Sequence, residues 1–270
     1  MKELIKKAVS GFLYNSNLFR LSPPKTRILA FHRVNPKYFE KQVLHMVKNY
    51  KIIPLNKIFS SNNKSVAVTF DDGYKNNLEY AYPVLKKYNV PATIFIVYDF
   101  IDKNLFTWWD RIEFSRKDFY VNKLKNLAPE EIEEKVVDLT GLKISDKKPV
   151  EYDFMSWNEI KRISDVFEIG SHTLTHPILT NIPLKDAENE IYESKKRIQD
   201  KIGKKVISFA YPNGNYNEDI MKLVSKSGYE YAAIYKKGNN KPSDVLNLFR
   251  RGININDNLE VFATKVAGVF

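Results

Sequence analysis

The feature that most constrains the fold of this chain is an alternation. Short runs of β-branched and aromatic residues at 28–31, 66–70, 92–97, 166–169, 206–210, 231–234 and 247–250 are separated by segments of helical periodicity. Strands joined by helical crossovers pair in parallel, so the pattern predicts an α/β fold of repeated βα units. Helices are expected near 38–49, 76–88, 157–163, 184–198, 218–227 and 259–266. In the fourth of these, Leu184, Ala187, Ile191, Ser194 and Ile198 share one face. Glu188, Glu190 and Glu193 come early in it and Lys195, Lys196 and Arg197 late, as the helix dipole favours. Periodicity alone does not separate a closed barrel from an open doubly wound sheet. A chain of 270 residues with 43% hydrophobic content suffices for one large core, and a single domain is expected.

Two strand-like runs end in chemistry. Val66 to Phe70 leads into Asp71, Asp72, Gly73 and Tyr74, and Val166 to Ile169 leads through Gly170 into Ser171, His172, Thr173, Leu174, Thr175, His176 and Pro177. Each stretch alone has a plain explanation. Asp-Asp-Gly is a common turn, because Asp bonds its own backbone and Gly accepts positive φ. Two histidines four apart are often polar positions on a helix, although Pro177 disfavours helical geometry at His176 and favours a loop. Taken together, two carboxylates and two histidines at strand ends are the inventory of a hydrolytic metal site. Such a site commonly has three ligands of the His/His/carboxylate type and an open position for water, with a spare carboxylate as base.

In this order the two stretches resemble the first two motifs of the polysaccharide deacetylases, carbohydrate esterase family four, which share the nodulation-protein deacetylase homology domain. The resemblance extends to Leu29–Val34, Ser156–Ile160 and Phe209–Gly214, and so covers about residues 27–270. Within the family the chain is similar to bacterial deacetylases of exopolysaccharide and surface-glycan biosynthesis. The resemblance implies a distorted (β/α) barrel of about seven parallel strands, with the motifs on loops at the C-terminal strand ends. It implies Asp72, His172 and His176 as ligands of one divalent metal and Asp71 as general base. Zinc is the first expectation for this donor set, with cobalt, nickel or manganese open. The implied activity is hydrolysis of acetamide groups on N-acetylhexosamine units of a surface polysaccharide or its precursor.

The chain departs from the family in two places. The third motif, Arg-x-Pro-Tyr, corresponds to Ala210, Tyr211, Pro212 and Asn213, so the arginine that orients the catalytic aspartate is missing. Arg250 or Arg251 is expected to replace it, and only one of the two, because neighbouring strand residues face opposite sides. The backbone N–H of Asn213 keeps the expected role of oxyanion donor, and Tyr211 is expected to line the groove. No histidine follows His176, where many members carry a catalytic one. His32, after the first strand, matches a histidine used by a circularly permuted branch and becomes the candidate general acid, against a polar core or rim role. Residues 99–155 break the alternation and are read as an insertion, a lid or groove wall. Its Trp108 and Trp109 either stack on sugar rings or pack internally.

The net charge is +11, but the basic residues are scattered among Asn-rich and acidic segments. They read as a solvated surface rather than a nucleic-acid footprint. There is no cysteine, which excludes disulfides and thiolate chemistry. Residues 1–26 form an N-terminal segment in which Leu4, Ile5, Ala8, Val9, Phe12 and Leu13 recur at near-helical spacing behind Lys2, Lys6 and Lys7. Its apolar run Ala8–Tyr14 is short for a signal-peptide core and shows no convincing cleavage site, so the expected location is cytoplasmic or peripheral at the inner membrane face. The segment packs on the barrel or contacts the membrane surface. Two rival functions stay open: a non-catalytic glycan-binding barrel, favoured by the two missing motif residues, and a deacetylase or deformylase of a small amide or nucleotide-sugar.

Overall fold

The computed structural model describes residues 2–16, 18, 26–60, 64–125, 127–236 and 238–269. Eight strands are found: β1 (Arg27–Phe31), β2 (Lys51–Ile52), β3 (Ser65–Asp72), β4 (Ala92–Ile96), β5 (Glu168–Ser171), β6 (Ser208–Ala210), β7 (Tyr231–Tyr235) and β8 (Leu248–Gly252). Seven of them close a ring in the order β1, β3, β4, β5, β6, β7, β8 and back to β1, with every pairing parallel. The chain is therefore a closed (β/α) barrel and not an open sheet. The strand missed from sequence, β2, is two residues long and pairs with β3 at Ser65 and Val66, just before β4 takes over at Val68. Two residues are too few to show a period.

Alternation along each strand divides the side chains between two layers. Outward-facing Leu29, Phe31, Val66, Val68, Phe70, Ile94 and Ile96 join the large core between strands and helices. Inward-facing Ile28, Ala67, Phe95, Ala210, Ala233 and Leu248 fill the barrel, which Ile53, Leu55 and Ile58 close from below. Each buried Val, Leu, Ile or Phe among them contributes roughly 1.5–3 kcal/mol. Further along the same inward faces come Thr69, Asp71 and Arg250, all at most 1% exposed, so the barrel turns from apolar to ionic towards the C-terminal strand ends. Gly170 permits this change of layer. A Cβ there would lie 2.4 Å from the Phe95 ring, the same ring over which the Arg250 guanidinium sits at 5.2 Å.

The helices start where capping chemistry dictates. Asn35 caps Pro36–Asn49 through Lys37 N–H, and Ser156 with Glu159 forms a reciprocal box at Trp157–Ile163. The nineteen-residue helix Leu184–Ile202 stops at Gly203, where φ is +70°. One expectation is corrected: the single helix expected over 76–88 is a π-helical turn, Asn77–Ala81, followed by an α-helix, Tyr82–Lys87. Pro83 has no N–H to give to the carbonyl four residues back, and the ladder shifts to absorb the loss. Between β4 and β5 the chain forms the helices Tyr98–Lys103, Trp108–Phe114, Val121–Leu124 and Pro129–Thr140. Ile112, Leu124 and Val136 make a small core of their own there.

Candidate active site

Asp71 and Asp72 end β3, but they are presented differently. Asp71 lies on the inward face with Thr69 and receives two hydrogen bonds from Arg250, Nη1 to Oδ1 at 2.6 Å and Nη2 to Oδ2 at 2.8 Å. Arg250 also bonds Thr69 Oγ1, which in turn donates to the Leu29 carbonyl. By alternation Asp72 would face the helices. Its φ of +72°, followed by Gly73 at +85°, turns it back over the barrel mouth. A non-glycine residue in this region is held there by its surroundings. Here Gly73 N–H closes onto the Asp71 carbonyl, and a Cβ on Gly73 would stand 2.9 Å from Ile101.

The histidines arrive from β5. His172 prolongs the ladder through its N–H to the Ile96 carbonyl, and its ring Nδ1 lies 2.6 Å from the Ala210 carbonyl. Nδ1 therefore carries the proton and Nε2 keeps its lone pair, the arrangement a metal-ligating imidazole needs. The chain then turns through Thr173 and His176, both at positive φ. This turn hangs on Glu190 of the helix Leu184–Ile202. The Glu190 carboxylate accepts from Leu174 N–H at 2.8 Å, Thr175 N–H at 2.9 Å and the Thr175 hydroxyl at 2.7 Å. The His176 ring is walled by Trp109 and Phe100, with centroids 4.8 and 6.0 Å away.

Three donor atoms converge. His172 Nε2 and His176 Nε2 are 3.2 Å apart, and they stand 3.8 and 3.7 Å from Asp72 Oδ1. Asp72 Oδ1 is buried with no hydrogen-bond partner. A tetrahedral ion with ligands at about 2.0–2.1 Å has donor–donor edges of roughly 3.3 Å, so the triangle fits a zinc-sized cation with little adjustment. Among the described residues Asp72, His172 and His176 are the group that could hold a metal ion.

The electrostatics of the bare protein point the same way. Burial would raise the Asp71 carboxyl, but Arg250, with help from His172, holds it down at about 2. Burial pushes Asp72 well above the usual carboxylate range, and the Asp71 and Asp110 carboxylates push it further. Burial lowers His172 to about 4 and takes His176 well below an ordinary imidazole, the latter aided by His172. A carboxylate that resists ionisation beside two imidazoles that resist protonation is a site short of one positive charge.

The remaining candidates divide. His32 stands at the rim, its side chain 47% exposed and its Nε2 4.0 Å from Asp72 Oδ2. Of the two arginines, Arg250 points inward. Arg251 points outward and donates to the Lys265 carbonyl, so it is no orienting residue. The expectation that Tyr211 lines a groove is corrected: it is 1% exposed, packed on Phe209, and donates to the Leu246 carbonyl. Pro212 is buried beside it, and Asn213 follows at φ +55° in an exposed turn. The tryptophans separate too. Trp108 packs on the insertion's own core, whereas Trp109 reaches His176 and donates from Nε1 to Tyr74 OH at 2.9 Å.

Several neighbours of the site are not apparent from the sequence. Tyr74 OH donates to Asp110, which also receives the Thr107 hydroxyl at 2.6 Å and is raised by burial to about 6. Glu190 did leave a signal, since it falls on the same helix face as Ala187, Ile191 and Ser194, where a carboxylate needs a partner.

The family model described as Polysaccharide deacetylase matches residues 60–232. YxkH of Bacillus subtilis, named for the same family, is 27% identical over 232 residues, covering 80% of this chain and 66% of its own length. The poly-beta-1,6-N-acetyl-D-glucosamine N-deacetylase of Staphylococcus aureus is 28% identical over 168 residues, covering 62% of this chain and 47% of its own. The chain thus spans between about half and two thirds of the length of these relatives. Among solved structures, a polysaccharide deacetylase from Bacillus cereus superposes with a TM-score of 0.64 at 25% identity, covering 90% of this chain and 69% of that one. A Streptococcus pyogenes deacetylase in complex with acetate gives 0.67 at 20% identity, covering 90% and 99%. At that identity the likeness is one of fold.

Proposed function

The chain belongs to the polysaccharide deacetylase family, and on that premise we propose that it is a metal-dependent N-deacetylase acting on N-acetylhexosamine units of a bacterial surface polysaccharide or its precursor. The observation that carries this reading is the pairing of an ionised Asp71, clamped by Arg250, with the converging donors of Asp72, His172 and His176. The staphylococcal relative, named for poly-N-acetylglucosamine, supports the substrate class.

Amide hydrolysis needs an activated water, an acceptor for its proton, a donor to the tetrahedral oxygen and a proton for the leaving amine. Asp71 is the acceptor. Held at about 2 by Arg250, it is ionised across the physiological range but is a weak base. A divalent cation, which Asp72, His172 and His176 would hold, would supply the acidification of the attacking water and the polarisation of the acetyl carbonyl. Arg250 fixes both carboxylate oxygens of Asp71, so the proton is taken in one orientation. The Asn213 N–H serves the developing oxyanion. His32, half in solvent at the rim, hands a proton to the departing amine.

Arg250 also bears on the rival reading of a binding-only barrel. The absent motif arginine was one of its two supports, beside the absent late histidine, and a guanidinium from β8 now meets the same aspartate. The test is acetate release from N-acetylglucosamine oligomers by protein reloaded with zinc or cobalt after chelation. Metal-dependent release is the expected result. Metal binding without release from oligomers or small N-acetyl amides would favour the glycan-binding reading.

A further inference from the structure

The helix Lys2–Asn15 packs on the barrel by its less apolar side. Ser10 is fully buried, its hydroxyl 3.1 Å from that of Thr264, and the Tyr14 ring lies 6.0 Å from His45. Ile5, Val9 and Phe12, spaced i, i+4 and i+7, share the opposite face and are 56%, 40% and 67% exposed, with Ala8 exposed beside them. The Leu4 side chain lies outside the described residues. A helix on a globular core normally turns its apolar stripe inward. Here the stripe is turned out.

Length and charge decide what covers it. Fourteen residues at 1.5 Å each give a helix of about 21 Å, short of the roughly 30 Å of a hydrocarbon core. No helix among the described residues is long and apolar enough to cross a membrane. Around the stripe the charge is positive. Lys6 flanks the stripe about a quarter turn round the helix, and the chain carries +11 overall, whereas Lys7 lies across the helix from the stripe and Lys265 is paired with Asp257. A second copy brought to this face would set like charges against each other, whereas an anionic lipid surface would attract them. We propose that this helix is a membrane-docking element that lies in the headgroup layer of an anionic bilayer with Ile5, Val9 and Phe12 inserted.

The test is sedimentation of the whole chain with vesicles of phosphatidylglycerol and phosphatidylcholine, and with phosphatidylcholine alone, at physiological salt. Partition onto the anionic vesicles only is expected. Ile5→Asp/Val9→Asp/Phe12→Asp should lower it at least about tenfold, with thermal midpoint and metal content unchanged. No partition onto either vesicle, or undiminished partition of the triple variant, overturns the proposal. So does a wild-type dimer that becomes monomeric in the triple variant, since a second copy would then cover the face. If the triple variant does not fold, Phe12→Asp alone, at the most exposed position, is read the same way.

Discussion

Arg250 grips Asp71 through two parallel hydrogen bonds across 179 residues of sequence, with both side chains almost wholly buried. The pair is structural by its burial and, on the proposed mechanism, chemical as well. Removing the cation strands a buried carboxylate, which costs about 3–5 kcal/mol in comparable pairs. Arg250→Ala is therefore expected to lower the urea midpoint markedly. Arg250→Lys should fold but offer a single donor to a carboxylate built for two, reducing kcat while leaving metal content near wild type. Unchanged turnover in Arg250→Lys would mean that Asp71 needs no bidentate support.

Asp71→Asn keeps the shape of the side chain and one of the two oxygens that accept from Arg250 while removing the proposed proton acceptor. Turnover is expected to fall by about 10²–10⁴-fold with metal content retained. Elemental analysis beside a kinetic assay separates this from His172→Ala, which should lose metal and turnover together. Full activity in Asp71→Asn would move the base elsewhere.

Glu190 touches none of the proposed reacting groups, yet it holds the turn that presents His176. Glu190→Ala leaves two backbone N–H groups without their acceptor. Metal affinity is expected to drop by about 10–100-fold, as for other supporting contacts of ligand histidines. Titration with cobalt, followed by its visible absorption, reads this directly. Glu190→Gln should restore part of the affinity, since its amide oxygen still accepts.

In the metal-free protein His172 should contribute a loss of stability on mild acidification, against the raised Asp72 and Asp110 carboxyls, which act in the opposite sense. An unfolded His172 takes up a proton near pH 6.5, whereas the native residue refuses it until about 4. Between these values the unfolded state binds more protons, so stability rises with pH across the window and falls as pH drops from 6.5 towards 4. The buried imidazole alone accounts for about 3 kcal/mol, with each pKa unit worth about 1.4. The difference between wild type and His172→Gln in urea midpoints taken in chelator at pH 7 and pH 4.5 measures it. His172→Gln should flatten the slope, and an unchanged slope would remove His172 as its origin.

Much of this protein was legible in its linear order. All seven barrel strands were marked by β-branched and aromatic runs, and most of the helices around them by helical periodicity, because these signals arise between near neighbours in the chain, whereas the short helices Tyr98–Lys103 and Trp108–Phe114 were not marked. The four residues that converge at the barrel mouth were visible because they lie in two compact motifs at strand ends. What the order could not decide was which way certain side chains turn. Leu248 and Phe249 make both faces of β8 apolar, so alternation had no contrast with which to choose between Arg250 and Arg251. The choice came from ring closure, which sets β8 beside β1 and brings Arg250 over Phe95 to Asp71. In the same way the positive φ of Asp72, Thr173 and His176 is imposed by Gly73, Glu190 and the packing around them. Sequence determined the elements and the chemical inventory, through local periodicity and short motifs. Tertiary structure decided the orientation of the site, through contacts between residues that no local rule connects.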